Sequence, residues 1–415
     1  MTAIQKLTDD GINGQFDEVL PGVFAEVVSQ RSLPNSTNLS GHSRQSSIIT
    51  LFDGKTLNAE NSLKWDTKGT GTATFSNQSV TMSVDAGQYL VRQSRIFCPY
   101  FSGKPQLIED TCFNFQNEAG VIKRIGYFSS NAVAPYDSDK DGIWIEADGT
   151  NRRIICSNSG TIVHNVQFES WDAYEEIKNY DWSKFTVNEI DFLWLGGAGL
   201  RLFLVVDGAF KLVHTIDDHA GYKSQLICKS PQQPVRYEIR STSGSGSLTA
   251  VCSMVASEGA ANESGEEVCV YTPAIAANVI GTIYALAGIR KTAANRDVFV
   301  EVSEFGATTL AGATSQNEAG VLLLMQNPTV SSALAWENNS RVQTAIATNQ
   351  TISNGGRVVK AIPLSGGSQV SASAKAALRI LTCGIDNTIG ELILGYIPLT
   401  TNQSVSGYIQ ALEYS

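Results

Sequence analysis

The chain has 415 residues, a formal net charge of −10 and only 17% charged residues. Such an acidic chain lacks the basic footprint on which nucleic-acid binding depends, so that class of partner is excluded. The length corresponds to about two or three domains, and 42% hydrophobic residues with 36 glycines against 11 prolines is the composition of an all-β protein rich in turns.

The opening residues, MTAIQKLTDDGINGQ, carry no basic segment followed by an apolar core, so no secretory signal is expected. Residues 1–45 read as an extended N-terminal arm. Its apolar segment at 19–28 is broken by Pro21-Gly22, and the polar run that follows has no core-forming pattern. That run takes order from a partner surface or stays disordered.

Residues 46–259 read as a β-sandwich of jelly-roll type. Strands are predicted at 47–52, 73–75, 79–84, 88–97, 106–115, 121–128, 142–147, 152–157, 161–168, 226–229, 235–241 and 247–257. Turns are expected at Asn77-Gln78 and Ala86-Gly87. The run DAYEEIKNY places Ala173 and Ile177 four residues apart, so one helical turn is expected within 171–185.

The most ordered stretch is 187–208, VNEIDFLWLGGAGLRLFLVVDG, read as a hairpin at the centre of the sandwich. Ile190, Phe192 and Trp194 share one face. Leu202, Leu204 and Val206 alternate with Arg201, Phe203 and Val205, a pattern expected where both faces are covered. Asp191, Arg201 and Asp207 interrupt the run, which excludes a membrane span. Asp191 and Arg201 lie on mostly apolar strands, so each is predicted to be paired or to sit at a rim. Asp207-Gly208 is a tight-turn signal. The small polar run at 258–267 is the expected linker to a smaller C-terminal β-domain, 260–415, with strands at 279–286, 297–305, 320–326, 357–362, 376–381, 391–397 and 407–414.

The sharpest local motif is Asp137-Ser-Asp139-Lys-Asp141-Gly142. Three carboxylates on a tight loop, with Asp148 at the twelfth position, are a calcium-loop pattern; the alternative is a solvated Asp-rich turn with no cofactor. Other signals are weaker. Cys98, Cys112, Cys156, Cys228, Cys252, Cys269 and Cys383 form no CxxC pair and are odd in number, so buried reduced thiols are expected, as in a reducing cytoplasm. His214 and His219 have no zinc-ligand spacing. No GxSxG exists, and Ser243-Gly-Ser-Gly-Ser reads as a turn. Glu146 and Asp148 are the carboxylate pair a glycosidase would need. Trp65, Trp144, Trp171, Trp182 and Trp194 are expected to pack the core or to line a saccharide groove. The hexapeptide QNEAGV occurs at 116–121 and again at 316–321, with unmatched flanks.

Six phrases taken in order, Arg95–Leu107 (RIFCPYFSGKPQL), Arg124–Phe128 (RIGYF), Asp141–Glu146 (DGIWIE), Ile190–Gly196 (IDFLWLG), Val206–Gly208 (VDG) and Pro234–Ile239 (PVRYEI), resemble a group of tailed-bacteriophage virion proteins. The likeness covers about residues 95–259 and is looser beyond, through Ile289-Arg290 and Asn327-Pro328. The resemblance implies a structural component of the virion, in the tail, baseplate or fibre base or as a head decoration, assembled in the host cytoplasm. It implies other virion proteins and sister copies in a homo-oligomer as partners, and it implies no catalytic residues, so no enzyme is expected. A second class stays open: a receptor-recognition module that binds a host-surface saccharide, with or without hydrolysis.

Overall fold

The computed structural model describes residues 5–7, 13–20, 23–27, 48–194, 199–217, 226–258, 265–310, 319–354, 356–365, 369–373 and 381–414. The chain is all-β, built as two sandwiches of antiparallel strands. Among the described residues no helix is long and apolar enough to cross a membrane.

The first sandwich faces a seven-stranded front sheet against an eight-stranded back sheet. The front sheet runs, in spatial order, Thr161–Gln167, Arg152–Asn158, Asp141–Ala147, Val121–Ser129, Val235–Ser241, Tyr89–Ser94 and Trp65–Gly69. The back sheet runs Ala209–Ile216, Leu200–Val206, Thr186–Phe192, Gln106–Phe113, Gly246–Glu258, Ser79–Val84 and Thr72–Ser76, with Ile48–Asp53 also paired to Gly246–Glu258. Alternation decides what lies between them. Ile125, Tyr127, Ile143, Ile145, Ile154 and Ile239 point inward from the front, and Ile108, Ile190, Leu202, Leu204 and Val255 meet them from the back. The predicted helical turn is present as Tyr174–Ile177. There Arg152 lies 4.0 Å over the Trp182 ring, and burial lowers its pKa to about 10.

The hairpin of 187–208 pairs as expected, Thr186–Phe192 against Leu200–Val206, and its turn residues 195–198 lie outside the described residues. Its place differs from the expectation. It occupies the second and third positions from one edge, and the centre of the back sheet belongs to Gln106–Phe113 and Gly246–Glu258. Long apolar runs mark cover on both sides, here confirmed by the fully buried Phe203, and cover is not the same as centrality. Asp191 and Arg201 pair across the hairpin at 2.5 Å. Asp207 and Gly208, at φ 52° and 82°, make the tight turn that follows.

The segment expected to be an extended arm holds a three-stranded antiparallel sheet, Gln5–Leu7, Asn13–Leu20 and Val23–Val27. Residues 226–229 form no strand, and most of the strand expected at 376–381 lies outside the described residues. Five cysteines are buried, whereas Cys252 and Cys269 are exposed on outward strand positions.

The second sandwich pairs a sheet ordered Glu266–Tyr271, Gln403–Tyr414, Phe299–Leu310, Gln369–Ser373 with one ordered Thr329–Val330, Thr351–Asn354, Ile283–Lys291, Glu391–Pro398, Gly320–Gln326, Arg357–Leu364. Leu286, Val300, Leu322, Leu394 and Ile409 fill it. A seam joins the two sandwiches. Asp66 Oδ2 accepts from Ile385 N at 2.8 Å, Arg95 O accepts from Cys383 N at 2.9 Å, and Lys68 pairs with Asp386 at 2.8 Å. Ile385 packs between Val91 and Tyr136, so the loop at 383–388 rests on the outer face of the front sheet.

Candidate functional site on the front sheet

The outer face of the front sheet carries a row of alternating charges. In register across four adjacent strands stand Glu238, Arg124, Glu146 and Arg153. Each comes from a strand whose other positions are apolar and point into the core, so the period of two puts the charges together outside. Arg124 is the hub: its Nη1 donates to Glu238 Oε1 at 2.5 Å and to Asp137 Oδ1 at 2.9 Å, and its Nε to Glu146 Oε2 at 2.5 Å. Arg153 Nε donates to the other oxygen of Glu146 at 2.9 Å. Arg236 donates to Glu238, to Gln93 Oε1 at 2.9 Å and to the Tyr136 carbonyl at 2.6 Å. The loop at 130–140 is thereby pinned over the sheet, with Arg240 Nη1 reaching Asp137 at 2.6 Å and Lys140 also bonded to it.

These contacts set the ionisation. Burial by itself would raise the Glu238 carboxyl, but Arg124, then Lys140, Arg236 and Arg240, outweigh it and hold the group well below the usual carboxylate range. Glu146 is lowered in the same way, burial being overcome by Arg124 and Arg153. Burial lowers Lys140, with Glu238 opposing.

At the Arg153 end of the row lies an open pocket of about 350 Å³. One wall is apolar, made by Trp144, Ile155 and the exposed Ile162; the other is Arg124, Glu146, Arg153 and Asp137. The Trp144 ring is held by Phe128, 5.0 Å away, and by Ile155. Gly126, in register with Trp144 and at φ 149°, permits this: a Cβ there would come within 2.9 Å of the Trp144 backbone.

The four carboxylates of the calcium-loop pattern are not brought together. Asp137 is spent on Arg124, Arg240 and Lys140. Asp141 accepts from Ser159 N, Lys229 N, Ser230 N and Gln233 Nε2 at 2.7–3.1 Å, which ties two loops to the sheet. Asp148 accepts from Thr150 N and Asn151 N and pairs with Arg153 at 3.2 Å. Asp139 is exposed at φ 53° beside Gly160. Among the described residues no three His, Cys, Asp or Glu side chains group as metal ligands. A calcium ion at this loop would have to displace cations from Asp137. Melting with and without EGTA is expected to give superimposable curves; a lower Tm on chelation would return calcium to these residues.

Glu146 and Asp148 do not face each other across a cleft but share the Arg153 guanidinium. His214 is buried with its Nδ1 3.2 Å from Asp172, and His219 lies outside the described residues. Trp65, Trp171 and Trp182 pack the core, and Trp194 packs at its edge; Trp144 alone of the five singled out is on the outer face. Sequence reasoning passed over Arg124, Arg153, Arg236 and Glu238 as site residues. Three of them were in plain view inside RIGYF and PVRYEI, and the signal available was charge alternating with Ile and Tyr.

No family model matches the chain, and no curated protein matches it. Solved structures similar to it include the Emp47p carbohydrate recognition domain, at 10% identity over 53% of this chain and 100% of that one, TM-score 0.34. A legume lectin-like domain from Entamoeba histolytica is 14% identical over 51% of this chain and 98% of that one, TM-score 0.34. A Bacillus licheniformis β-glucanase is 14% identical over 51% and 97%, TM-score 0.33. At this level of likeness no residue role passes from them to this chain.

Proposed function

We propose that the chain is a saccharide-binding recognition protein that binds without turnover, with its pocket at the Arg153 end of the charged row. The observation that carries this is the composition of the pocket walls. The exposed Ile162, backed by the nearly buried Trp144 and Ile155, gives one side an apolar wall for the C–H surface of a sugar ring, and guanidinium–carboxylate pairs on the other offer donors and acceptors for its hydroxyls. Donors and acceptors are balanced in charge, which suits a neutral ligand. The test is a glycan array followed by calorimetry on the best binder. Trp144→Ala is expected to weaken that binding by at least about tenfold while near-ultraviolet dichroism elsewhere is retained. An array of neutral and acidic glycans with no binder would sink the reading, and release of reducing sugar would replace it with a hydrolase.

A second reading, which rests on the resemblance of the six phrases to tailed-phage virion proteins, is a structural subunit of a particle. Four of those phrases supply Arg124, Asp141, Trp144, Glu146, Ile190, Arg236 and Glu238, strand residues of one sandwich, which suits a shared scaffold. The two readings are compatible if the saccharide is a host-surface receptor. Mass measurement of the purified chain separates them: a closed homo-oligomer supports the particle subunit, and a monomer at high concentration counts against it.

A further inference from the structure

The back sheet ends on one side at Thr72–Ser76, TATFS, which a two-residue turn joins to Ser79–Val84. Asn77 and Gln78 sit at φ 49° and 62°, the pair of left-handed residues that a type I′ hairpin takes. That turn fixes the phase of the hydrogen bonds. Ser76, Thr74 and Thr72 exchange bonds with Ser79, Thr81 and Ser83, so the backbone N–H and C=O groups of Ala73 and Phe75 point away from the sheet. No strand among the described residues pairs with that side. Thr72, Ala73, Thr74 and Ser76 are exposed, and Phe75 leans on the core.

An open strand edge is a template for another strand, and folds block it with charge, proline, bulges or cover. Other edges here are guarded in those ways. Along Ala209–Ile216, Val213 O accepts from Ala173 N at 3.1 Å and Thr215 N donates to Asp172 Oδ2 at 2.9 Å. On Thr161–Gln167, Val166 O accepts from Trp171 Nε1 at 3.2 Å. Trp65–Gly69 lies at the seam, Glu266–Tyr271 carries Glu266 and Glu267, and Arg357–Leu364 carries Arg357, Lys360 and Pro363. Thr72–Ser76 has no charge, no proline and an unbroken register.

Charge selects the occupant. The chain carries −10, so two copies repel over much of their surface, but no charged residue lies between Lys68 and Asp85. The outer face there is a ladder of hydroxyls in register, Thr74 beside Thr81 beside Thr249, with the last two Oγ1 atoms 3.1 Å apart. A second copy related by a twofold axis at Thr74 adds its own Thr74 to that ladder, and Thr–Thr neighbours across strands are favourable. A charged peptide would find no counter-charge on this edge, and a helix could not take the bonds that Ala73 and Phe75 offer.

We infer that Thr72–Ser76 is a dimerisation edge. Two copies meet antiparallel about Thr74, Ala73 exchanges hydrogen bonds with Phe75 of the partner subunit, and the two back sheets become one. The inference is independent of the saccharide reading and shares with the particle-subunit reading only the expectation of more than one copy.

The experiment uses the full chain with Cys252→Ser and Cys269→Ser, which removes the exposed thiols. Light scattering is expected to give the mass of a dimer. Ala73→Pro deletes an N–H that faces solvent in the single copy, so the fold is kept, and it should weaken the dimer at least about tenfold. Thr74→Lys sets like charges face to face at the axis and should do the same. Each variant is first matched to the parent by dichroism. Thr74→Cys should cross-link to a covalent dimer under mild oxidation, because the pair at the axis approaches to about 4.5 Å between Cα atoms. Thr72→Cys, about 13 Å from its own equivalent, should not. A monomer at high concentration overturns the inference. An oligomer that keeps its mass in both Ala73→Pro and Thr74→Lys overturns it too and leaves the particle-subunit reading standing on another interface. Equal cross-linking of Thr72→Cys and Thr74→Cys overturns it as random collision.

Discussion

Replacing Asp110 with asparagine is expected to stabilise the protein at pH 8 and to destabilise it by about 1–2 kcal/mol at pH 4, where the charge it removes is almost absent and its unserved amide still costs. Asp110 points inward from the middle of the back sheet, opposite Asn188 on one neighbouring strand and Ser253 on the other. It is fully buried. The Tyr237 and Ser253 hydroxyls face it but bond to each other at 2.7 Å, and neither carboxyl oxygen accepts a hydrogen bond of good geometry. Lys123, an inward cation of the facing sheet, is committed to Asn114 O at 2.5 Å and Glu118 Oε1 at 3.1 Å, and no cation enters among the causes that set the Asp110 carboxyl. Burial therefore pushes the Asp110 carboxyl up to about 7 from 3.8, with Ser253 and Tyr237 opposing weakly and Glu109 adding to the rise.

The sign follows directly. Below 3.8 both folded and unfolded chains hold the proton and stability is complete. Between 3.8 and about 7 the unfolded chain gives it up while the folded one keeps it, so stability falls as pH rises. The full loss above 7 is about 4 kcal/mol at about 1.4 kcal/mol per pH unit. Asparagine keeps the shape and removes the charge, and its own unserved amide returns part of the gain, leaving about 2 kcal/mol at pH 8. Urea unfolding at pH 4, 6 and 8 measures this. Equal midpoints for parent and variant at pH 8 would show that the carboxyl finds a partner the geometry lacks.

The strands were legible where the pleat carries a core. Ser79–Val84, Val235–Ser241 and Gly320–Gln326 have the predicted limits because every second residue is apolar and buried. Trp65–Gly69, WDTKG, escaped notice for the converse reason. As the edge strand of the front sheet it sends Trp65 into the core, while Asp66 and Lys68 face the second sandwich. Its order comes from the seam, which no local pattern announces. Trp336–Asn339 and Val342–Ile346, a short and partly exposed hairpin, were missed likewise.

The site was less legible than the fold because it depends on strand order. Arg124, Glu146, Arg153 and Glu238 span more than a hundred positions, and nothing local says that their strands are neighbours in register. The Asp137 motif misled for a related reason. DxDxDG describes how carboxylates can converge on a loop, but here three cations on neighbouring segments reach Asp137 and backbone amides reach Asp141. Tertiary partners decided the chemistry of the loop.

Arg124→Met is expected to be the most damaging single substitution on the front sheet, at about 3–5 kcal/mol, because it leaves two buried carboxylates without their shared cation. Glu238 is wholly buried and Glu146 nearly so, and Arg124 stands in register between them. Removing both members of one pair should cost less than the sum of the parts. Arg124→Met with Glu238→Gln is expected to recover about 1–3 kcal/mol of the expected total, the mark of direct coupling. The pH dependence gives an independent reading. The folded Glu238 is held below its unfolded value of 4.5, so its contribution is present above 4.5 and is lost as pH falls toward the folded value. Without Arg124 that depression shrinks, and the acid limb of the stability curve should flatten. Additive costs and an unchanged acid limb would mean that Arg236, Arg240 and Lys140 hold Glu238 on their own, and that the row is a set of separate pairs. Coupling between Arg124 and Glu238 in the parent would mean that a ligand in the Trp144 pocket meets a wall braced across four strands, and that loss of Arg124, which lines that pocket, should weaken the binding proposed for it both directly and by releasing Glu146.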